Sequence, residues 1–403
     1  MTKKGHLVAI LTLFIVVLIV FSASDGGSVG DEVKRPSACL YYASDNKVYK
    51  LCFPAQVSTL IYAIPKHALP KEMSSIKIRS GKMVWMPGEK TLTVFGIPAY
   101  VEGDLYTWDG TNMHRIKLEK YQTATSVGGV TGANKEAELF FSDIYINNFL
   151  ISPDGEQIAW NINRLTKVID DVNGGTSFVS HDVKVASLAG QNKKNVLKEQ
   201  FTAGSFFADH FENRQLLYWS ESNPDRIFLN TYFDSQLEYG SKHLYALDLK
   251  NKRINLINKK IEKVIGFSSD ERMIASTTCC EGDTDYPYIG VTITDLSSGK
   301  SRIIDDRSYG NDNAIFSPSD DLIAITSNGI TIRKVDTGEE ITKINKAHLI
   351  GWIDNDHLLI GRKFKNMKGK DFKYGELFIY DLKSAKEEML SLKNVIIISM
   401  ETY

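Results

Sequence analysis

The sequence carries no Gly-x-Ser-x-Gly elbow, no Walker loop, no dinucleotide-binding glycine pattern and no His-Glu-x-x-His. No motif therefore supports an α/β-hydrolase, a P-loop enzyme, a Rossmann oxidoreductase or a zinc protease. Charge of one sign is lacking too. Lys and Arg number 48 against 49 Asp and Glu, a formal net charge of −1. No global field selects nucleic acid or an anionic membrane. Cysteine is scarce, with 4 in 403 residues, and no Cys pair is followed by His at zinc-finger spacing. Long apolar runs are absent after the first 21 residues.

That one run is informative. Lys3 and Lys4 precede "LVAILTLFIVVLIVF" from Leu7 to Phe21. As a helix it measures about 22 Å, short of a hydrocarbon core of about 30 Å. It matches the core of a signal peptide, and Ser22-Ala23-Ser24 offers small residues for cleavage. An uncleaved membrane anchor is the rival. Either way Lys3 and Lys4 stay cytoplasmic and the rest is exported to the periplasm or cell surface. The expected organisation is a signal peptide or anchor over 1–24, a linker over 25–37 and one domain over 38–403. Cys39, Cys52, Cys279 and Cys280 then lie in an oxidising compartment.

What remains is β-rich. Apolar residues make up 43% and charged residues 24%, with 18 Tyr and 19 Phe. "ISPDGEQIAW" (151–160) reads as an apolar residue, a Pro-Asp-Gly turn and an alternating strand. The pattern recurs in "MVWMPGEKTLTVFG", "HFENRQLLYWS", "GFSSDERMIAST", "IFSPSDDLIAIT" and "GWIDNDHLLIGR". Its turns are expected near Gly88, Gly155, Asn213, Asp270, Asp320 and Asp356. A second hairpin follows each copy, as in "KHLYALDLKNKR" and "GELFIYDLKSAK". Asp109, Asp248, Asp295, Asp336 and Asp381 hold similar positions there, with carboxylates expected to accept from nearby backbone N–H groups. Two hairpins give a four-stranded sheet, and tandem sheets cover one another's faces by stacking.

The "SPDG-x-x-IA" turn followed by "LY-x-x-DL-x-x-G" resembles the TolB-type β-propeller repeat, a relative of WD repeats, over about residues 38 to 392. The resemblance implies an all-β propeller fold and little about function. Seven blades are expected, with six as the alternative. The hairpin "ACLYYASDNKVYKLCF" has no inner strand before it, and the apolar run Val395–Ile398 near the C-terminus is expected to supply one.

Within that first hairpin the turn centres on Asp45-Asn46. Ser44 then pairs with Lys47, Ala43 with Val48, and Cys39 with Cys52. The last is a non-hydrogen-bonded pair, whose Cα atoms approach to about 4.5 Å, so a disulfide is expected.

Long second-to-third-strand segments are expected on one face of the domain: "NINRLTKVIDDVNGGTSFVS", "SESNPDRIFLNTYFDSQLEYGS", "TTCCEGDTDYPY" and "RKFKNMKGKDFKYG". Rigid scaffolds place binding residues on such loops. Arg362, Lys363, Phe364, Lys365, Lys368, Lys370, Phe372 and Lys373 form the candidate binding loop, suited to an envelope protein or an anionic glycan. Glu281, Asp283 and Asp285 suit a calcium ion by chemistry but lack EF-hand spacing, and a polar turn is the preferred account. His181, His243 and His348 fall in three different units. No catalytic residue, cofactor or metal is assigned. The expected function is an exported or membrane-tethered propeller that binds a partner in the cell envelope. The alternative is a propeller enzyme such as a glycan lyase or hydrolase.

Overall fold

A computed structural model of the chain describes residues 37–403 except 88–89, 93–97, 101–103, 119–137, 170–175, 206–210, 235–242, 259–260, 262, 279–289, 306–312, 328 and 367–371. The expected signal peptide or anchor and nearly all of the linker therefore lie outside the described residues. So do Gly88, Cys279, Cys280, Glu281, Asp283 and Asp285. Among the described residues no helix is long and apolar enough to cross a membrane.

The alternating segments form antiparallel strands. The first three are β1 (Ala38–Ser44), β2 (Lys47–Phe53) and β3 (Val57–Ala63). Next come β4 (Lys77–Arg79) and β5 (Lys82–Trp85), a short hairpin of β6 (Lys90–Leu92) and β7 (Pro98–Tyr100), then β8 (Leu105–Trp108) and β9 (Met113–Ile116). A long set follows: β10 (Glu138–Ile151), β11 (Gln157–Ile169), β12 (Thr176–Ser187) and β13 (Lys194–Ser205). The next four are β14 (Phe211–Trp219), β15 (Arg226–Asp234), β16 (Leu244–Asp248) and β17 (Arg253–Asn258). Then come β18 (Lys263–Phe267), β19 (Met273–Thr278), β20 (Gly290–Asp295) and β21 (Ser301–Asp305). They are followed by β22 (Asn313–Phe316), β23 (Leu322–Ser327), β24 (Gly329–Lys334) and β25 (Glu340–Ile344). The last are β26 (His348–Trp352), β27 (His357–Asn366), β28 (Phe372–Asp381), β29 (Lys386–Met389) and β30 (Val395–Thr402).

The pairing repeats. Four-stranded antiparallel orders are β4-β5-β8-β9, β14-β15-β16-β17, β18-β19-β20-β21 and β22-β23-β24-β25. The run β13-β12-β11-β10 is a fifth such order, extended by β7 and β6 at its inner edge. The chain is thus all-β and built from repeated four-stranded sheets, as a β-propeller is. The C-terminal strand β30 pairs antiparallel with β1, giving the order β30-β1-β2-β3, and touches β28 at Lys373↔Ile396 and Tyr374↔Val395.

Packing explains why the sheets stack. Strand β1 is buried on both faces. Ala38, Leu40 and Tyr42 join Leu359, Tyr374 and Leu377 in one cluster. Cys39, Tyr41 and Ala43 join Met83 and Trp85 in another. One face of the β1 sheet therefore meets the β27–β28 unit, and the other meets the β4–β5 unit. Burying a side chain such as Leu40 or Phe53 contributes about 1.5–3 kcal/mol. Neighbouring first strands also come close. A Cβ on Gly266 would meet the Ala314 carbonyl oxygen at 2.2 Å, so β18 and β22 need glycine there.

Several expectations are corrected. The turn before β5 is Ser80-Gly81, where Ser80 has φ +49° and Gly81 +75°, a turn the sequence reading does not mark; the one expected near Gly88 lies outside the described residues. Asn213 lies inside the continuous strand β14, and the turn of that unit is 220–225. The residues "SESNPD" form that turn rather than the start of a long loop, a turn that lacks the Pro-Asp-Gly signature. Much of the long-loop sequence is also paired strand. "NINRLTKVI" continues β11 against β12, and Arg362–Asn366 continues β27 against β28. Adjacent polar pairs such as Asn163-Arg164 and Thr166-Lys167 break the strand alternation there, so a pattern-based reading takes the segment for a loop.

Candidate functional site

The turns joining first to second strands share one construction. Ser152 donates its backbone N–H to Gln157 O at 2.9 Å, and its Oγ accepts the Gln157 N–H at 2.8 Å. Ser268 repeats both bonds with Met273, and Ser317 with Leu322. All three serines are buried. Gly155, Glu271 and Asp320 occupy the left-handed corner of these turns, at φ of +72°, +58° and +61°. The Pro and Gly of the motif do not reveal this serine; its recurrence five residues before the first residue of the following strand, at Gln157, Met273 and Leu322, is the available signal.

Those corners also link neighbouring units. Glu271 accepts from the Ser222 N–H at 3.1 Å, the Ser222 hydroxyl at 2.8 Å, the Ser220 hydroxyl and the Glu221 N–H. Asp320 accepts from the Ser269 N–H at 2.8 Å, and Asn355 Oδ1 from the Ser319 N–H at 2.9 Å. This end of the sheets is tied turn to turn.

The third-to-fourth-strand turns behave as expected at four of five positions. The Oδ1 atoms of Asp109, Asp248, Asp295 and Asp381 each accept two backbone N–H groups, two and three residues on. The Asn112 N–H, then the His114 side chain, hold the Asp109 carboxyl down at about 2. The Ser297 hydroxyl and the Ser298 N–H hold Asp295 at about 2 as well. Asp336 is the exception. Lys334 makes the backbone bonds that Asp295 makes, with Glu339 and Gly338, so Lys334 holds that position and Asp336 sits two residues further on.

The opposite end carries the extensions. Strands β10 to β13 run 14, 13, 12 and 12 residues, against 4 to 6 in β18 to β25. At about 3.3 Å per residue β10 spans about 46 Å. The register runs from Gln157↔Ser187 at the turn end to Val168↔Thr176. The hairpin therefore projects beyond the shorter sheets, at the end where the long segments were expected.

The basic segment is a hairpin of the same kind. Phe364 pairs with Tyr374, Lys365 with Lys373 and Asn366 with Phe372. Arg362 is bound into the body. Its guanidinium meets Glu387 at 2.5 Å and donates to the Asn345 carbonyl at 2.9 Å and the Lys346 carbonyl at 3.2 Å. Lys363 donates to Glu376 at 2.5 Å. Lys368 and Lys370 lie outside the described residues. The structure thus separates a structurally engaged pair, Arg362 and Lys363, from Lys365 and Lys373, two like charges at opposed register positions.

The three histidines stand in different settings. His181 is buried opposite Glu199 in the β12–β13 ladder. Glu199 accepts from Arg214, whose guanidinium lies 4.5 Å from the Tyr245 ring centre, and His243 meets that ring edge-on. His348 Nδ1 bonds the Tyr374 hydroxyl at 2.7 Å, and burial pushes that phenol's pKa up. Among the described residues no group of three or more His, Cys, Asp or Glu is placed to hold a metal ion. A cavity of about 130 Å³ lies between Ile78, Leu150, Ile151, Pro153, Tyr218 and Trp219, with the Arg79–Glu221 ion pair at its rim.

The expected disulfide is present. Cys39 and Cys52 are bonded, with Cα atoms 4.0 Å apart, in the register set by the Asp45-Asn46 turn.

Against known proteins, no family model matches the sequence. No curated protein matches it either. Among solved structures, one assigned to TolB from Agrobacterium tumefaciens shares 14% identity with a TM-score of 0.35, covering 64% of this chain and 90% of its own. The repeated sheet pairing, not that likeness, is the ground for the fold.

Proposed function

We propose that the chain is an exported or membrane-tethered seven-bladed propeller that binds an envelope partner with the end carrying its extended hairpins. The seven blades are the five four-stranded orders above, the β26–β29 unit, and a closing blade in which β30 lies inside β1, β2 and β3. Residues 1–24 serve as signal peptide or anchor and 25–37 as linker. The Cys39–Cys52 disulfide supports export, because such bonds persist in oxidising compartments.

One observation carries the binding assignment. Strands β10 to β13 extend far beyond blade length at one end only, while the other end is short turns locked to one another. A rigid base with projecting hairpins at one end is how scaffolds present a recognition surface. Lys365, Lys368, Lys370 and Lys373 add positive charge at the same end and suit an acidic protein surface or an anionic glycan.

The test shortens the projection. Arg164 and Ser180 are register partners, so residues 165–179 are replaced by a two-residue Asn-Gly turn between them. Crosslinking in the native envelope is compared for the full-length chain and the shortened variant. The expected result is loss of the crosslinked partner with unchanged melting temperature. An unchanged crosslinking pattern sinks the assignment. Sequencing the mature N-terminus separates cleaved signal from retained anchor.

A further inference from the structure

The outer edge of β3 differs from the other outer edges. Sheet edges with unpaired N–H and C=O groups invite pairing with another chain, and proteins blunt them with charge. The outermost strands β9 (MHRI), β17 (RINLIN), β21 (SRIID), β25 (EITKI) and β29 (KEEM) each carry Arg, Lys, Asp or Glu. Strand β13 carries Lys and Glu. Strand β3 reads VSTLIYA and carries none. It ends its sheet, and among the described residues no backbone bond outside the sheet uses residues 57–63. Val57 is 67% exposed and Leu60 50%.

The register says which groups point outward. The two-residue turn at Asp45-Asn46 makes Ser44–Lys47 the first hydrogen-bonded pair. Alternation makes Tyr42–Tyr49 and Leu40–Leu51 hydrogen-bonded as well, so Tyr49 and Leu51 spend their backbone groups on β1. Ser58 and Leu60 stand opposite Leu51 and Tyr49. Their N–H and C=O groups therefore aim away from β2. Beyond Leu60 the ladder shifts register, so the straight edge runs from Val57 to Leu60 and turns at Ile61.

We infer that this edge pairs with the same edge of a second copy, antiparallel about a two-fold axis through Thr59. Ser58 of each copy then meets Leu60 of the other, and these are the residues whose backbone groups point outward. Thr59 meets Thr59, and Val57 lies across from the corner at Ile61, so that the exposed Val57 and Leu60 are covered. No charge opposes a like charge anywhere along the strand, which is the feature that sets β3 apart. The contact is isologous and closes on itself, giving a dimer rather than a filament. Thr59–Thr59 is a non-hydrogen-bonded pair, with Cα atoms at about 4.5 Å. That is the pair type bridged by Cys39 and Cys52 within the chain.

The test uses the full-length chain. Thr59→Cys and Val57→Cys variants are run on non-reducing gels after mild oxidation in the native envelope. Thr59→Cys is expected to form a reducible dimer, and Val57→Cys to stay at the wild-type level, because its partner is Ile61. In a neutral detergent, wild type is expected to show concentration-dependent dimerisation by sedimentation velocity. Thr59→Lys, which sets two ammonium groups face to face on an exposed site, should lose it and keep its melting temperature. Equal crosslinking of the two cysteine variants overturns the inference. So does a wild-type chain that stays monomeric, or a Thr59→Lys chain that dimerises as wild type does.

Discussion

Glu401 Oε1 accepts the Ser80 backbone N–H at 2.7 Å, joining the last strand of the chain to a turn 321 residues earlier. Its other oxygen accepts the Tyr41 and Tyr403 hydroxyls, each at 2.8 Å. A buried carboxylate with three donors from three parts of the chain fixes where β30 sits. Removing Asn394–Tyr403 withdraws this group and the whole β1–β30 ladder, and exposes the apolar edge of β1. The expected outcome is a cooperative loss of folding across the domain. Glu401→Ala, a milder change, leaves the Tyr41 hydroxyl without its acceptor and should cost about 1–3 kcal/mol. Thermal unfolding followed by circular dichroism checks both, and a truncated chain with wild-type melting would show that β30 is dispensable.

The Cys39–Cys52 bond closes a loop with a sequence separation of 13. A loop of that size contributes roughly 3 kcal/mol in the chain-entropy account. Cys39→Ser with Cys52→Ser should therefore lower the melting temperature while leaving the register of β1 and β2 intact. Non-reducing peptide mapping should recover the two half-cystine peptides joined. Recovery of Cys39 linked to Cys279 or Cys280 contradicts the pairing.

These two features were legible in the sequence for a physical reason. A two-residue turn fixes every pair outward from it, so Asp45-Asn46 determined Cys39–Cys52. The orphan hairpin at 38–53 needed an inner strand, and Val395–Ile398 was apolar throughout. The same logic failed where the turn chemistry was weak. The unit beginning at Phe211 turns through Ser-Glu-Ser-Asn-Pro-Asp, so a pattern keyed on Pro-Asp-Gly turns divides its first strand at Asn213. The extended hairpins were hidden differently. Strands that leave the stacked core no longer alternate polar with apolar in the expected way, so "NRLTKVI" looked like loop. Most of the basic hairpin was visible as composition, but not that Arg362 is held by Glu387 and two carbonyls. That contact joins β27, the 345–346 turn and β29, and no local pattern encodes it.

The aspartate turns give the fold an acid-sensitive element. Asp295 is held at about 2 in the folded chain, against an ordinary 3.8. A lowered folded value means the stabilisation is fully present above the ordinary carboxylate range and is lost as pH falls from about 3.8 to about 2. Asp295→Asn should lower the melting temperature at pH 6 and match wild type near pH 2. Asp109→Asn should follow the same course, since its carboxyl is lowered equally far. Melting curves against pH test this, and a wild-type-to-variant gap that does not narrow on acidification contradicts the role of these carboxylates.

The basic hairpin divides into two kinds of cation, and the division is testable. Arg362 joins β27 to Glu387 and to the 345–346 turn, so Arg362→Ala should lower stability through lost contacts, with partner binding following only as folding is lost. Lys365 and Lys373 are register partners in the ladder, and like charges at directly opposite positions are as a rule destabilising. Changing both to Ser should leave melting unchanged or slightly raised. If an anionic partner repays that repulsion, the same change, with Lys368 and Lys370 included, should weaken binding most at low salt and little at high salt. A salt series on partner capture reads this directly. Binding that is equal for wild type and the four-lysine variant at every salt concentration returns the hairpin to an ordinary solvated edge, and leaves recognition to the β11–β12 projection alone.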